Sequence, residues 1–532
     1  MTDLTIVDAH LVSDWMSPGQ ALDIEVAAGR IRSLRPGGTT TEGTVIDVGG
    51  AVVAPAFGDG HVHPIWAGLQ LLGAPVRDAT SVAEVVAAVA DYAAANPDES
   101  WIEGGSYDPA LAPGGLFDAR WLDVACADRP VVLTSSDQHC IWANTRALEI
   151  AGIDADCQPP PGGEIPRRSD GSVLGTLREW EAMELLKRHV PRPDGSARAS
   201  ALARATSELA AHGVTTILDA AVSERDVHTY LEGAESGRLK VRVELALRAD
   251  PERFDPAHFA SLARDVRQST AQDNAGDPWV AAGTVKFFSD GVVEAGTAAL
   301  LEPYADNPHT CGLPVWDAAG LALGVADAEA AGFDVHIHAI GDAGIRNALD
   351  AVEASPGRRD PRRRPTIAHV QVLHPNDRGR FARLGVTANF EPLWACWDAC
   401  QRELTAPRLG PERTAWQYPI GSLMADGVEV SFGTDWPVSD VDPLRCAAVA
   451  VSRRIDGGRP LVAAERISAG AALRAASQGV AQQLGHADWG HVSVGARADL
   501  VVLSADPRNV PPDDWTEIEV LGRFQAGIPD GR

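Results

Sequence analysis

Two histidines spaced i and i+2, His61 and His63, end the run Phe57-Gly58-Asp59-Gly60-His61-Val62-His63-Pro64, which follows the apolar Ala51-Val52-Val53-Ala54-Pro55-Ala56. Residues two apart on a β-strand share a face, so both imidazoles leave the strand end together. Histidine is the commonest side chain for holding a divalent cation, and two such rings can share one ion. A bare His-x-His is more often structural, so the pair gains meaning only if the fold brings further ligands to the same place.

The chain supplies them at the ends of later apolar runs: Val285-Lys286-Phe287-Phe288, Asp334-Val335-His336-Ile337-His338, Thr366-Ile367-Ala368-His369 and Val430-Ser431-Phe432-Gly433-Thr434-Asp435. A (β/α)8 barrel gathers the C-terminal ends of its parallel strands around one mouth, where active sites are built. The remaining strands are expected at Val214-Thr215-Thr216-Ile217-Leu218-Asp219, at Val241 to Leu247 and at Val386 to Phe390. With those carrying His61, Lys286, His338, His369 and Asp435 they make eight. Alanine-rich segments such as Leu321 to Ala331 and Ile345 to Ala354 supply helices between them. The fold class these runs point to is α/β, a TIM-like (β/α)8 barrel.

The order His-x-His, Lys, His, His, Asp resembles the metal site of the amidohydrolase superfamily. Gly283-Thr284-Val285-Lys286-Phe287-Phe288-Ser289-Asp290-Gly291, Thr297-Ala298-Ala299-Leu300 with Pro303-Tyr304, His338-Ala339-Ile340-Gly341-Asp342 and Gly433-Thr434-Asp435-Trp436-Pro437-Val438 are similar to the YtcJ-like branch, amidohydrolase family 3. So is Asp137-Gln138-His139 with Trp142-Ala143-Asn144. One departure stands out. Where the branch often has Ser-Arg before Thr-Ala-Ala, this chain reads Val293-Glu294-Ala295-Gly296-Thr297, so a substrate contact by that arginine does not carry over.

The resemblance implies metal ligation by His61, His63, Lys286, His338, His369 and Asp435, with Asp435 also the catalytic proton shuttle. In many such enzymes the lysine reacts with carbon dioxide, giving an anionic carbamate that bridges two cations; a dry barrel mouth assists by lowering the amine pKa. The alternative is an unmodified Lys286 paired with Asp290 or a substrate carboxylate. Only three of the 46 basic residues are lysines, Lys187, Lys240 and Lys286, and the last lies inside an apolar strand, where an unpaired ammonium is costly. Zn2+ suits the ligand set, one or two per chain, with Mn2+, Fe2+ or Co2+ as alternatives. The implied reaction is hydrolysis of an amide, N-acyl, N-formyl or cyclic amide C–N bond: a water made acidic by the cations attacks the carbonyl, and Asp435 carries its proton to the departing nitrogen. A lactone or ester hydrolase, a deaminase or isomerase on the same site, or a barrel that only binds are the competing readings, because fold and metal do not choose the reaction.

His139, Trp142, Asn144 and Trp436 are candidate substrate contacts, and Trp66, Trp394 and Trp397 also follow barrel strands. Asp59, Asp290 and His336 are candidates for hydrogen-bonding behind the ligands.

Short alternating runs before residue 53 and again near His491 to Leu503 suggest a small antiparallel β unit. By resemblance, 1–53 and 485–532 form a composite β-sandwich domain and 54–484 the catalytic barrel. About 145 residues separate the first two barrel strands, too many for one connection. Residues 70–210 are therefore expected to be an inserted subdomain with a helix at Val82 to Ala95 and a proline-rich loop at 159–166. Because it leaves the barrel beside His63, it is the natural lid and specificity element.

The formal charge, 46 − 73 = −27, argues against a polyanion partner such as nucleic acid. No basic segment with an apolar core opens the chain, and no run of about 18 apolar residues appears. Seven scattered cysteines fit reduced thiols. These features suit a cytoplasmic enzyme of small molecules without a membrane partner, and they leave a homo-oligomer open.

Overall fold

The parallel strands Phe57–Val62, Val214–Val222, Arg242–Arg248, Val280–Phe288, Asp334–Ala339, Thr366–His369, Thr387–Phe390 and Val430–Phe432 lie side by side in chain order. They are barrel strands one to eight. The structure, a computed structural model, describes residues 3–37, 43–136, 138–160, 163–360 and 362–530. Asp137 and the loop positions Pro161 and Gly162 of the sequence argument lie outside them. Helices on one side and packed side chains on the other cover both faces of each strand; strand two, VTTILDAAV, is buried at every position.

The barrel closes between its last and first strands. Asp435 N donates to His61 O at 2.7 Å, and His63 N donates to Trp436 O at 2.9 Å. Only glycine permits this approach, since a Cβ at Gly433 would stand 2.6 Å from the His61 Cβ. Helices return the chain from strand to strand, and several are capped by short polar side chains. Ser223 and Asp226 form a capping box for Glu224–Glu235, and Asp317 accepts from Gly320 N to start Ala318–Ala330.

Both ends of the chain join one eight-stranded sheet. Leu500–Leu503 pairs with Val52–Pro55 and Val520–Gln525, while Leu4–Leu11 pairs with Gln20–Ala27. The sheet is mixed where alternation suggested antiparallel pairing: Leu4–Leu11 also runs parallel to Thr44–Asp47 and to Val52–Pro55. Alternation reports which face is buried but not strand direction. Buried Arg242 on strand three ties this sheet to the barrel, reaching Asp499 at 2.6 and 3.1 Å and Asp273 at 2.5 Å. Such a bidentate pair is among the stronger polar contacts a fold offers.

Between strands one and two the chain builds a four-stranded sheet from Ile102–Tyr107, Val131–Ser135, Cys140–Ala143 and Thr176–Arg178. Helix Val82–Ala95 packs on it through Val85, Val89 and Ala93. The unit has its own apolar clusters, around Val76, Phe117 and Trp142 and around Ile141, Leu148 and Leu177. Among the described residues no helix is long and apolar enough to cross a membrane.

Candidate metal centre and substrate cavity

The strand ends open into a cavity of about 720 Å³. Its floor holds His61, His63, Lys286, His338, His369 and Asp435, all of them buried. His61 and His63 point the same way from strand one, with ring centroids 5.4 Å apart. Asp435, reaching across the seam from strand eight, places Oδ1 3.1 Å from His63 Nε2 and 3.7 Å from His61 Nε2. Lys286 Nζ lies 3.5 Å from His61 Nε2. The His369 ring stands 4.7 Å from that of His61 and 4.6 Å from that of His338.

Two side chains that sequence alone did not single out back the floor imidazoles. Glu391, just after strand seven, accepts from His369 Nδ1 at 2.7 Å and lies 3.7 Å from His61 Nδ1. Asp219, on strand two, lies 3.6 Å from His63 Nδ1 and takes a hydrogen bond from the Tyr230 hydroxyl at 2.5 Å. Asp219 lies in the last half of strand two and Glu391 directly follows strand seven. That was the available signal, since Asp219 ended a run already assigned as a strand.

Burial sets the protonation of the floor. It pushes His61, His336 and His338 well below the usual imidazole range and His369 to about 3, leaving neutral rings with lone pairs to donate. At His63 burial acts in the same direction but is outweighed by Asp219 and Asp435, and its pKa rises. Burial lowers Lys286 to about 7, so a substantial fraction is the free amine near neutrality. Glu391 is raised by burial and by the nearby Asp435.

The donor set fits a cation. Nitrogen and oxygen atoms of His61, His63 and Asp435 lie within 4.8 Å of one another, as do those of His61, His369 and Glu391. Asp435 Oδ1, Glu391 Oε1 and His63 Nδ1 are buried with no hydrogen-bond partner. Orphaned acceptors of this kind are expensive unless a cation or a proton meets them. Imidazole and carboxylate together suit Zn2+, Mn2+, Fe2+ or Co2+.

Behind the floor, Asp59 accepts from Thr434 N, Thr434 Oγ1 and His61 N, joining strands one and eight; burial raises it to about 7. His336 Nε2 meets His61 Nδ1 at 3.0 Å. Asp290 accepts from the backbone of Ala299, Ile340 and Gly341 and lies 3.8 Å from His338, its pKa raised by burial to about 7. Tryptophans stack on two of the floor imidazoles, Trp66 on His63 at 4.4 Å and Trp394 on His369 at 5.1 Å.

Of the candidate substrate contacts, only His139 reaches the cavity, where its Nδ1 lies 3.0 Å from Glu179 Oε2. Gln138 and Glu179 both line the wall at positive φ, 62° and 64°, a strain of about 1–3 kcal/mol each that the surrounding structure must hold. Trp142 is fully buried in the insertion, packed on Phe117 and donating to Asp118 O at 3.0 Å. Asn144 caps the helix Thr145–Ala151 and ties Val131 N, Cys126 O and Arg129 O. Both therefore hold the insertion together, and neither lines the cavity. Trp436 is likewise not part of the cavity lining. Its side chain joins the barrel core while its carbonyl accepts from His63 N at the seam.

The family model of the amidohydrolase family matches residues 44–522. Protein LONG AFTER FAR-RED 3 of Arabidopsis thaliana is 31% identical over 95% of this chain and 88% of its own length. Putative amidohydrolase YtcJ of Bacillus subtilis is 27% identical over 89% and 88%. N-substituted formamide deformylase of Arthrobacter pascens is 25% identical over 99% and 98%. An uncharacterized metal-dependent hydrolase from Pyrococcus furiosus, a solved structure, aligns with a TM-score of 0.73 at 25% identity, covering 95% of this chain and all of that one. The barrel, the donor cluster at its mouth and these full-length similarities agree: the chain belongs to the amidohydrolase family, in its YtcJ-like branch.

Proposed function

We propose that this protein is a metal-dependent hydrolase that cleaves a C–N bond of a small-molecule amide, an N-acyl or N-formyl amine or a cyclic amide among them. The observation that carries the reading is the cluster of buried imidazoles and carboxylates around His61 and Asp435, two overlapping donor groups on the floor of a ligand-sized cavity. The relative that acts as an N-substituted formamide deformylase spans nearly the whole chain and supports the bond type.

In this reading His61, His63 and Asp435 hold one cation, and His338, His369 and Lys286, as a carbamate, help to hold a second; Zn2+ is the first choice. A divalent ion here would acidify a water and polarise the substrate carbonyl. Asp435 takes the proton from the attacking water and returns it to the amine nitrogen as the C–N bond breaks, giving a carboxylate and a free amine. Glu391 and Asp219 fix the ring orientations of His369 and His63. The insertion covers the mouth and contributes His139 to the wall, and the cytoplasm is the proposed compartment.

Metal content by elemental mass spectrometry, alongside amine release from a panel of N-acyl and N-formyl amines, tests the proposal. About two equivalents per chain supports the Lys286-bridged pair, and about one supports a single-ion site on His61, His63 and Asp435. No metal even after addition, together with no amine release, overturns the hydrolase reading.

A further inference from the structure

The cavity wall away from the metal cluster is not electrically balanced. Arg248 is matched by Asp250 at 3.1 Å and His139 by Glu179 at 3.0 Å, whereas Glu294 and Asp398, also on the wall, form no ion pair among the described residues. Glu294 comes from the loop after barrel strand four, and Asp398 from the loop after strand seven. The two are joined through the π-turn Gln401–Thr405, a backbone form that recurs at functional sites. Asp398 Oδ1 accepts from Gln401 N at 2.7 Å, and the Thr405 hydroxyl, four residues along the same turn, donates to Glu294 Oε1. Thus Asp398, Gln401, Thr405 and Glu294 form one continuous stripe.

Two features of the stripe look unfinished in a way that a ligand would complete. Gln401 is 3% exposed and lines the cavity, yet its Nε2 has no hydrogen-bond partner, and leaving such a buried donor unsatisfied costs about 1–3 kcal/mol. The two carboxylates share the wall and neither has an ion-pair partner among the described residues: burial raises the Asp398 pKa and Glu294 raises it further. Like charges in a partly desolvated site are unfavourable until a cation arrives; the Tyr418 ring on the same wall is already matched by Arg453, whose guanidinium lies 5.9 Å from its centroid, so the two carboxylates are what a ligand cation would meet.

We propose that this stripe is a substrate subsite for an organic cation: Glu294 and Asp398 receive a protonated amine or guanidinium carried by the amide substrate away from its scissile carbonyl, and Gln401 hydrogen-bonds the polar group beside it. The proposal rests on the amide-hydrolase reading for what the rest of the cavity binds. It adds a charge selection that the metal cluster alone does not impose.

Isothermal titration of the metal-loaded protein with three matched probes tests it: N-pentylformamide, N-(4-aminobutyl)formamide and 5-formamidopentanoate. The cationic probe should bind about tenfold more tightly than the neutral one, as expected of a charge-assisted contact, and the anionic probe should bind weakest. That advantage should shrink as salt is raised and fall to near parity in Glu294→Gln/Asp398→Asn. Equal affinities in the native protein, no measurable binding of the cationic probe, or a preference that survives in the double variant would overturn the subsite. The native comparison needs no variant, so a poorly folded mutant does not leave the question open. Amine release, measured in parallel, separates the two readings. Charge-selective binding without hydrolysis counts against the hydrolase and not the subsite; hydrolysis without charge preference does the opposite.

Discussion

His369 Nδ1 and Glu391 Oε2 lie 2.7 Å apart, both fully out of solvent, on neighbouring barrel strands six and seven. The contact spends the Nδ1 proton on the carboxylate and leaves Nε2 as the ring's lone-pair nitrogen. Glu391→Gln keeps an acceptor oxygen but removes the charge, and metal affinity should fall by about 10–100-fold. Glu391→Ala should fall further. A chelator-competition titration reads both, and native affinity in the two variants would remove Glu391 from the site.

Asp435 sits at φ 51°, a conformation that asparagine tolerates well, so Asp435→Asn leaves the backbone in place. Turnover should drop by about 10³-fold through loss of the proton acceptor, with most of the bound metal retained. Near-native turnover would sink the shuttle role.

Lys286→Ala should lose one metal equivalent by elemental analysis, and formate or acetate should restore part of the activity by standing in for the carbamate. Unchanged metal content would refute the bridge.

Lys187 offers a pH test remote from the metal cluster. Burial lowers its pKa from 10.5 to about 8, although neighbouring Glu184 and Glu103 oppose the shift, and its ammonium lies 5.4 Å from the Trp180 ring. Between about pH 8 and 10.5 the unfolded chain holds the proton that the folded chain has lost, so stability rises with pH across that window. Below it the burial penalty is fully present. Lys187→Met should therefore raise the Tm most below pH 8, with the gain fading towards pH 10.5; a gain constant with pH would contradict the shift.

His139 and Asn144 belong to one sequence motif and should part company on mutation. His139→Ala, on the cavity wall, should lower kcat/KM by about tenfold with little change in Tm. Asn144→Ala strips a helix cap and three further buried hydrogen bonds, a loss of about 3 kcal/mol, and should lower the Tm with kcat/KM little changed. The reverse pattern would restore Asn144 to the substrate site.

These two residues also show what the sequence carried. The eight strands and the ends bearing His61, His63, Lys286, His338, His369 and Asp435 were legible because buried parallel strands read as apolar runs, and each of these polar residues interrupts or closes one. Trp142 and Asn144 shared a recognisable motif with His139, but a motif does not record which side of a hairpin faces the cavity. Glu391 and Asp219 escaped for a related reason. An acid after a strand reads equally well as a terminator, and only the three-dimensional distance to an imidazole nitrogen reveals its partner.

The seam where Asp435 N meets His61 O has a consequence for biosynthesis. A nascent chain emerges with His61 and His63 long before Asp435, so the two imidazoles precede their carboxylate partner by more than 370 residues. The His61, His63 and Asp435 donor group therefore exists only once strand eight has docked on strand one, whereas the His61, His369 and Glu391 group is already in hand when strand seven is laid down, so closing the barrel completes the second of two clusters that share one imidazole.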